Sequence, residues 1–163
     1  MAFQLKGGAR RSKMVELKEY DVLSDGEIDV ILQKKSNGDA LKGFSPEYKF
    51  HILLHGSDIV IGHIHFRLGD TEKILKYIGH VGFGIDEQYR GNKYAAKACR
   101  IIKNIAKEHA MESLIITCNP ENHASRKICE AIGAKLIEVI DIPENSDAFS
   151  LNETQKCRYE WEL

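Results

Sequence analysis

The stretch "IDEQYRGNKYAAKA", residues 85–98, joins an alternating apolar run to a helical pattern. Upstream, "KYIGHVGFGI" alternates as a strand does. From Asn92 onward, Tyr94, Ala95, Ala98, Ile101, Ile102, Ile105 and His109 return on one helical face, with Lys93, Lys97, Arg100, Lys103 and Lys107 mostly off it. Gly91 sits where the period changes. A helix start offers backbone N–H groups with no intrahelical acceptor, and the aligned peptide dipoles make that end locally positive. Such an end is a natural seat for a diphosphate. Gly91 would let the main chain approach phosphate oxygens without an intervening Cβ, and Arg90, Lys93 and Lys97 could add charge at the rim. The plainer alternative stands beside it: Gly91 eases a turn and the basic residues are a solvated face. The Walker pattern and the three-glycine dinucleotide fingerprint are both absent here.

Composition narrows the class. A chain of 163 residues is long enough for one cored domain and short for two. With 43% apolar and 29% charged residues it reads as globular, neither disordered nor membrane-spanning. The net charge of −1 gives no reason to expect nucleic acid as the main partner. The four cysteines, Cys99, Cys118, Cys129 and Cys157, lack C-x-x-C or zinc-finger spacing, so we expect neither a structural metal nor a disulfide framework. The start "MAFQLKGGARRSK" has basic residues but no apolar run behind them, so a cytoplasmic location is expected, with residues 1–12 a flexible extension and 13–163 a single domain.

The remaining pattern supplies the other elements. "KMVELKEY" reads as a first strand and "DGEIDVILQKK", with Ile28, Ile31 and Leu32 at helical spacing behind acidic residues, as a helix. "SNGDALKGFSPE" is turn chemistry. "YKFHILLH" and "DIVIGHIHFRL" alternate and meet at "HGSD", a hairpin, so with "KYIGHVGFGI" three antiparallel strands follow one another. "ESLIITC" is a strand buried on both faces, expected parallel to its neighbour because a helix precedes it. "NHASRKICEAIG" is a second helix, N-capped by Asn122 and ended by Gly133, and "AKLIEVIDI" and "KCRYEWEL" close the fold as a strand pair.

"HVGFGIDEQYRGNKYAAKA" resembles the acyl-CoA pyrophosphate-binding segment of the GCN5-related N-acetyltransferases, the GNAT superfamily, whose pattern is Q/R-x-x-G-x-G/A after the fourth strand. Gln88 and Gly91 match it, while Lys93 stands where a small residue is expected. "TCNPENHASRKICEAIGAKL" is similar to the family's next strand and helix, through Asn122, Ser125, Glu130 and Gly133. The resemblance covers residues 14–163, best over 77–137, and lies closest to bacterial predicted acetyltransferases and ribosomal-protein N-terminal acetyltransferases. It implies an α+β fold in which a mixed, mostly antiparallel central sheet, flanked by helices, splays between its fourth and fifth strands to admit the pantetheine arm. Gly82 and Gly84 fit that picture, although tight packing explains them equally. The resemblance further implies acetyl-CoA as cofactor, held by Phe83, Ile85, Gln88, Tyr89, Arg90, Gly91, Asn92, Lys93, Tyr94, Ala95, Asn119, Asn122 and Ser125. Asn122 also has a sufficient explanation as an N-cap.

Acetyl transfer needs a neutral amine, and an alkylamine with a pKa near that of lysine, about 10.4, must first lose a proton. His80 is the candidate base, since it falls where related N-terminal acetyltransferases often carry an acidic residue; His63 and His65 share a face of the preceding strand. All three could instead be ordinary sheet residues. Cys129 replaces the tyrosine that many family members use as general acid; it is a candidate proton donor, with packing the favoured alternative. The expected reaction is direct attack by an amine of a small molecule or peptide in a ternary complex. Two other readings remain: an acyl-CoA-binding regulator without catalysis, and a phosphate-ligand module. A homodimer through an exposed edge is a further expectation of the resemblance.

Overall fold

The computed structural model describes residues 15–163. The expectation of a flexible extension over 1–12 lies outside the described residues. Strands β1 (Leu23–Ser24), β2 (Ile28–Ser36), β3 (Glu47–Leu54), β4 (Val60–Arg67) and β5 (Val81–Ile85) form an antiparallel sheet in that order. Helix α1 (Tyr94–Glu108) follows, then β6 (Ser113–Cys118), α2 (His123–Ile132), β7 (Lys135–Asp141) and β8 (Gln155–Glu162). The last three strands form a second antiparallel sheet in the order β6-β8-β7.

Strand alternation gives the first sheet two unlike faces. One carries the rows Leu32–Phe50–Ile64–Phe83 and Tyr48–Phe66–Val81, which join the core against the apolar stripe of α1, including Ala98, Ile102 and Ile105. The other carries Lys34–Lys49–His65–Gly82, Glu47–Arg67 and His51–His63–Gly84. Hydrophobic burial thus fixes the register, and with it a polar row of lysines and histidines on the outer face.

The predicted hairpin, α1, β6, α2 and the closing strand pair are all present. Four expectations fail. Residues 28–36 are a strand, because Ile28, Val30 and Leu32 alternate inward and β3 supplies a ladder; Asp25, whose carboxylate accepts from the amides of Glu27 and Ile28, caps the turn before a strand rather than a helix. Residues 15–22 make no ladder; they are tied down by the Lys18 amide to the Tyr48 hydroxyl (2.8 Å) and by the Tyr20 hydroxyl to Glu108 (2.7 Å). Lys76 to Ile78 belong to a short π-helical turn, Lys73–Ile78, and only after Gly79 does β5 begin. Further, β6 ladders antiparallel with β8, and no ladder joins it to β5. Among the described residues no helix is long and apolar enough to cross a membrane.

Candidate active site

The two sheets meet at one vertex. His80 N–H donates to the Ile115 carbonyl (2.7 Å), and the Ile115 N–H donates back to His80 Nδ1 (2.8 Å). Thr117 Oγ1 donates to the Tyr77 carbonyl (2.8 Å), and Arg67 Nη1 reaches the carbonyls of Ile78 and Gly79 (3.3 Å each). Gly79 makes this approach feasible: at φ 70° it is in the left-handed region, and a Cβ there would lie 2.8 Å from the Ile115 oxygen. From that pin β5 and β6 diverge, leaving a cleft of about 440 Å³ lined by Gly82, Phe83, Thr117, Asn119, Asn122 and Ser125 among others. Four expected cofactor residues, Phe83, Asn119, Asn122 and Ser125, therefore share one cleft. Asn122 caps α2 by accepting from the Ser125 amide (3.1 Å), and Asn119 accepts from the Glu121 amide (3.0 Å), so both side chains also have structural duties.

The remaining expected residues gather at the start of α1. Tyr89 and Arg90 spend their amides on the carbonyls of Asp86 and Glu87 in a 3₁₀ turn, and Arg90 Nε anchors to the Ile85 carbonyl (2.9 Å). The amides of Gly91, Asn92, Lys93, Tyr94, Ala95 and Ala96 donate to no protein acceptor among the described residues; the first helical bond is from Lys97 to the Lys93 carbonyl. No side chain caps this end. A Cβ on Gly91 (φ 87°) would meet nothing within 4 Å, so the space beside Gly91, at the head of the run, is open. Lys93 itself is left-handed at φ 63°, the conformation that explains a preference for a small residue there. Gln88 is exposed, and Lys97 is committed to Glu27 (3.0 Å) instead of standing free at the rim.

His80 does not fit the role of base. It is 4% exposed, and its Nδ1 lone pair is taken by the Ile115 amide, so the ring is the Nε2–H tautomer, donating to the Gly69 carbonyl (2.8 Å). No lone pair remains to take a proton from an amine. Burial, reinforced by the nearby Arg67 charge, lowers its pKa, although the Gly69 carbonyl opposes this. Cys129 fares no better as an acid: it is fully buried among Cys99, Cys118 and Cys157, and burial pushes its thiol well above the usual range. Of the expected strand glycines, Gly84 lies against the His63 ring, whereas a Cβ on Gly82 would make only ordinary contact, 3.5 Å, with Arg67.

The outer face of the first sheet holds a second cleft, of about 610 Å³, which shares Arg67 and Ile78 with the first. His65 lines it directly across the ladder from Gly82. Its imidazole is half-buried, and burial lowers its pKa against the opposing pull of Glu47, 3.5 Å away. The sequence marked His65, but nothing in it marked Arg67 and little marked Gly79, whose importance rests on contacts with residues far along the chain or on a shared cleft wall. A glycine ending an apolar run, as in "YIGH", was the one available signal for Gly79.

Known proteins share the fold. Residues 11–135 match the acetyltransferase (GNAT) domain model. Over 99 residues the chain is 32% identical to the uncharacterized N-acetyltransferase YnaD of Bacillus subtilis strain 168, an alignment covering 58% of this chain and 53% of that protein. The chain thus spans about half the length of this curated relative. A GNAT-family acetyltransferase structure from Bacillus anthracis superposes with TM-score 0.54 at 25% identity, covering 70% of this chain and 65% of the other. The microcin C7 self-immunity acetyltransferase MccE, solved with acetyl-CoA and AMP, shares the fold at TM-score 0.55 and 14% identity, covering 72% and 61%. Since the domain match extends through the splayed strands, the open amide run and α2, this chain belongs to the GNAT acetyltransferase family.

Proposed function

We propose that the protein is an acetyl-CoA-dependent N-acetyltransferase acting on a primary amine. The observation that carries this is the run of six amides from Gly91 to Ala96 with no protein acceptor among the described residues, exposed at Gly91, Asn92 and Lys93, on the segment that leaves β5, whose Gly82 and Phe83 line the cleft beside the His80–Ile115 pin. Six N–H groups at a positive helix end are the right donors for a diphosphate, and no carboxylate occupies the first turn. Gly91, Asn92, Lys93, Tyr94 and Ala95 would hold the phosphates, with Arg90 at the edge; Phe83, Asn119, Asn122 and Ser125 would border the arm. Acetyl-CoA, when bound, supplies an acyl thioester whose carbonyl a neutral amine can attack. This chain's own part is to bind, to orient and to take a proton. We assign the proton to His65, which lines the outer cleft and pairs across the ladder with Gly82, a lining residue of the first cleft, and whose depressed pKa leaves it neutral at physiological pH. MccE, bound to acetyl-CoA on the same fold, supports the choice of cofactor.

The engagement of His80 favours one second reading, a regulator that binds acyl-CoA without turnover. Calorimetry with CoA and thiol release across a panel of amines separate the two. Micromolar CoA binding with release of thiol by some amine is the result expected; binding with no release on any amine supports the regulator. Absence of CoA affinity would overturn both.

A further inference from the structure

The outer cleft has a charge that the reaction does not require. Lys34, Lys42, Lys49, Lys73 and Arg67 line it, although the chain as a whole carries −1. Its two lining carboxylates are already committed: Asp39 accepts from the amides of Leu41 and Lys42, and Glu47 lies 3.7 Å from Arg67 and 3.5 Å from His65. Lys73 reaches Asp147 at 3.9 Å, while Lys34, Lys42 and Lys49 form no ion pair among the described residues. Lys34 and Lys49 are direct cross-strand partners on the same face, with His65 next in the row. Like charges placed opposite each other oppose the pairing of their strands. A row that folding disfavours and that ends at the transfer site is explained by a ligand of the opposite sign.

We infer that the acceptor is an amine carried at the start of an acidic peptide, whose carboxylates lie along the Lys49–Lys34 row while the amine sits near His65 and Gly82. This rests on the reading of the chain as an N-acetyltransferase. The geometry sets the scale. Neighbouring strands are about 4.8 Å apart, so Lys49 and Lys34 stand roughly 10 and 15 Å from the Gly82 strand, the reach of about three to five extended residues. A single amino acid or a small amine is too short to engage both the vertex and the far lysine. The exposed Phe44 on the rim offers an apolar contact for a side chain of such a peptide.

The test uses synthetic peptides with one common N-terminal residue and Glu, Gln or Lys at the third to fifth positions, assayed at saturating acetyl-CoA. The acidic series should exceed the neutral one in kcat/KM by about tenfold or more, through KM, and that advantage should shrink with added salt. Lys34→Gln combined with Lys49→Gln should erase most of it while the affinity for CoA stays unchanged. Lys49→Glu, which converts the opposed lysines into an ion pair and so should fold well, should turn the preference toward the lysine series. Fluorescence anisotropy with a labelled acidic peptide in the presence of CoA reads the same lysine dependence without turnover. If no amine is acetylated yet anisotropy retains lysine-dependent binding, recognition of an acidic peptide by the lysine row stands, while the acetyltransferase reading falls and the peptide's role as acceptor falls with it. Equal kcat/KM across the three series, a preference indifferent to both variants, or a small phosphorylated amine outperforming every peptide would overturn the inference.

Discussion

His80 and the peptide of Ile115 are joined twice, by the His80 backbone N–H to the Ile115 carbonyl and by the Ile115 N–H to the His80 ring at Nδ1. With Nε2–H on the Gly69 carbonyl, one buried side chain satisfies two backbone groups from two other segments. This is the work of a pin, and it predicts the outcome of substitution. His80→Phe orphans a buried N–H and a carbonyl, at a cost of roughly 2–4 kcal/mol in unfolding free energy by urea titration. The kcat/KM profile of the surviving folded enzyme should keep the acidic limb of the wild type, where a general base loses activity by taking up a proton. Loss of that limb in a folded variant would return His80 to the chemistry.

A second consequence concerns pH. Burial lowers the folded-state pKa of His80 below the value near 6.5 expected in the unfolded chain. Between the two values the unfolded chain binds more protons, so the stabilisation is complete above about pH 6.5 and is lost as the pH falls through the folded pKa. His65 and His109 shift in the same direction and add to the slope. Denaturation midpoints should therefore decline between about pH 7.5 and about pH 5.5, and His80→Gln should flatten that decline. A variant with the wild-type slope would place the titration elsewhere.

The sequence disclosed most where pattern and burial coincide. Helix α1 was legible because its stripe is long and its charged side continuous, and the β3–β4 hairpin because "HGSD" separates two alternating runs. The segment 28–36 misled because I-x-V-I-L satisfies both periods over so few residues, and the deciding fact, a partner strand further along the chain, is tertiary. At the site, Gln88 and Gly91 could be placed by pattern, since the amide run needs only local backbone. His80 could be placed but its role could not, because a side chain's partners, here Gly69 and Ile115, are set by which loops fold onto it.

Two glycines near the vertex should respond very differently to alanine. Gly79 is left-handed and its Cβ would press on the Ile115 oxygen at 2.8 Å, whereas Gly82 leaves ordinary contact distance to Arg67. Gly79→Ala should cost more than about 2 kcal/mol, the left-handed strain plus separation of the sheets, and Gly82→Ala under about 1 kcal/mol. Equal losses in chemical denaturation would mean that the pin does not depend on close backbone approach.

The open amide run yields the last prediction, through two neighbours with opposite expected effects. Gly91 and Lys93 are both left-handed, at φ 87° and 63°, yet only one is a glycine. Lys93→Gly should relieve strain and raise the unfolding free energy by about 1 kcal/mol, with CoA affinity held or slightly improved. Gly91→Val should act the other way. Because no protein atom lies within 4 Å of its Cβ, the new side chain stands in open space at the head of the amide run rather than in the core. Blocking two charge-assisted bonds to phosphate should raise the CoA dissociation constant by at least about tenfold in calorimetry. Left-handed strain at a β-branched residue lowers stability as well, so the binding measurement belongs well below the variant's melting temperature. An unchanged dissociation constant there would mean that these amides hold no phosphate, and the proposed function would lose the observation that carries it.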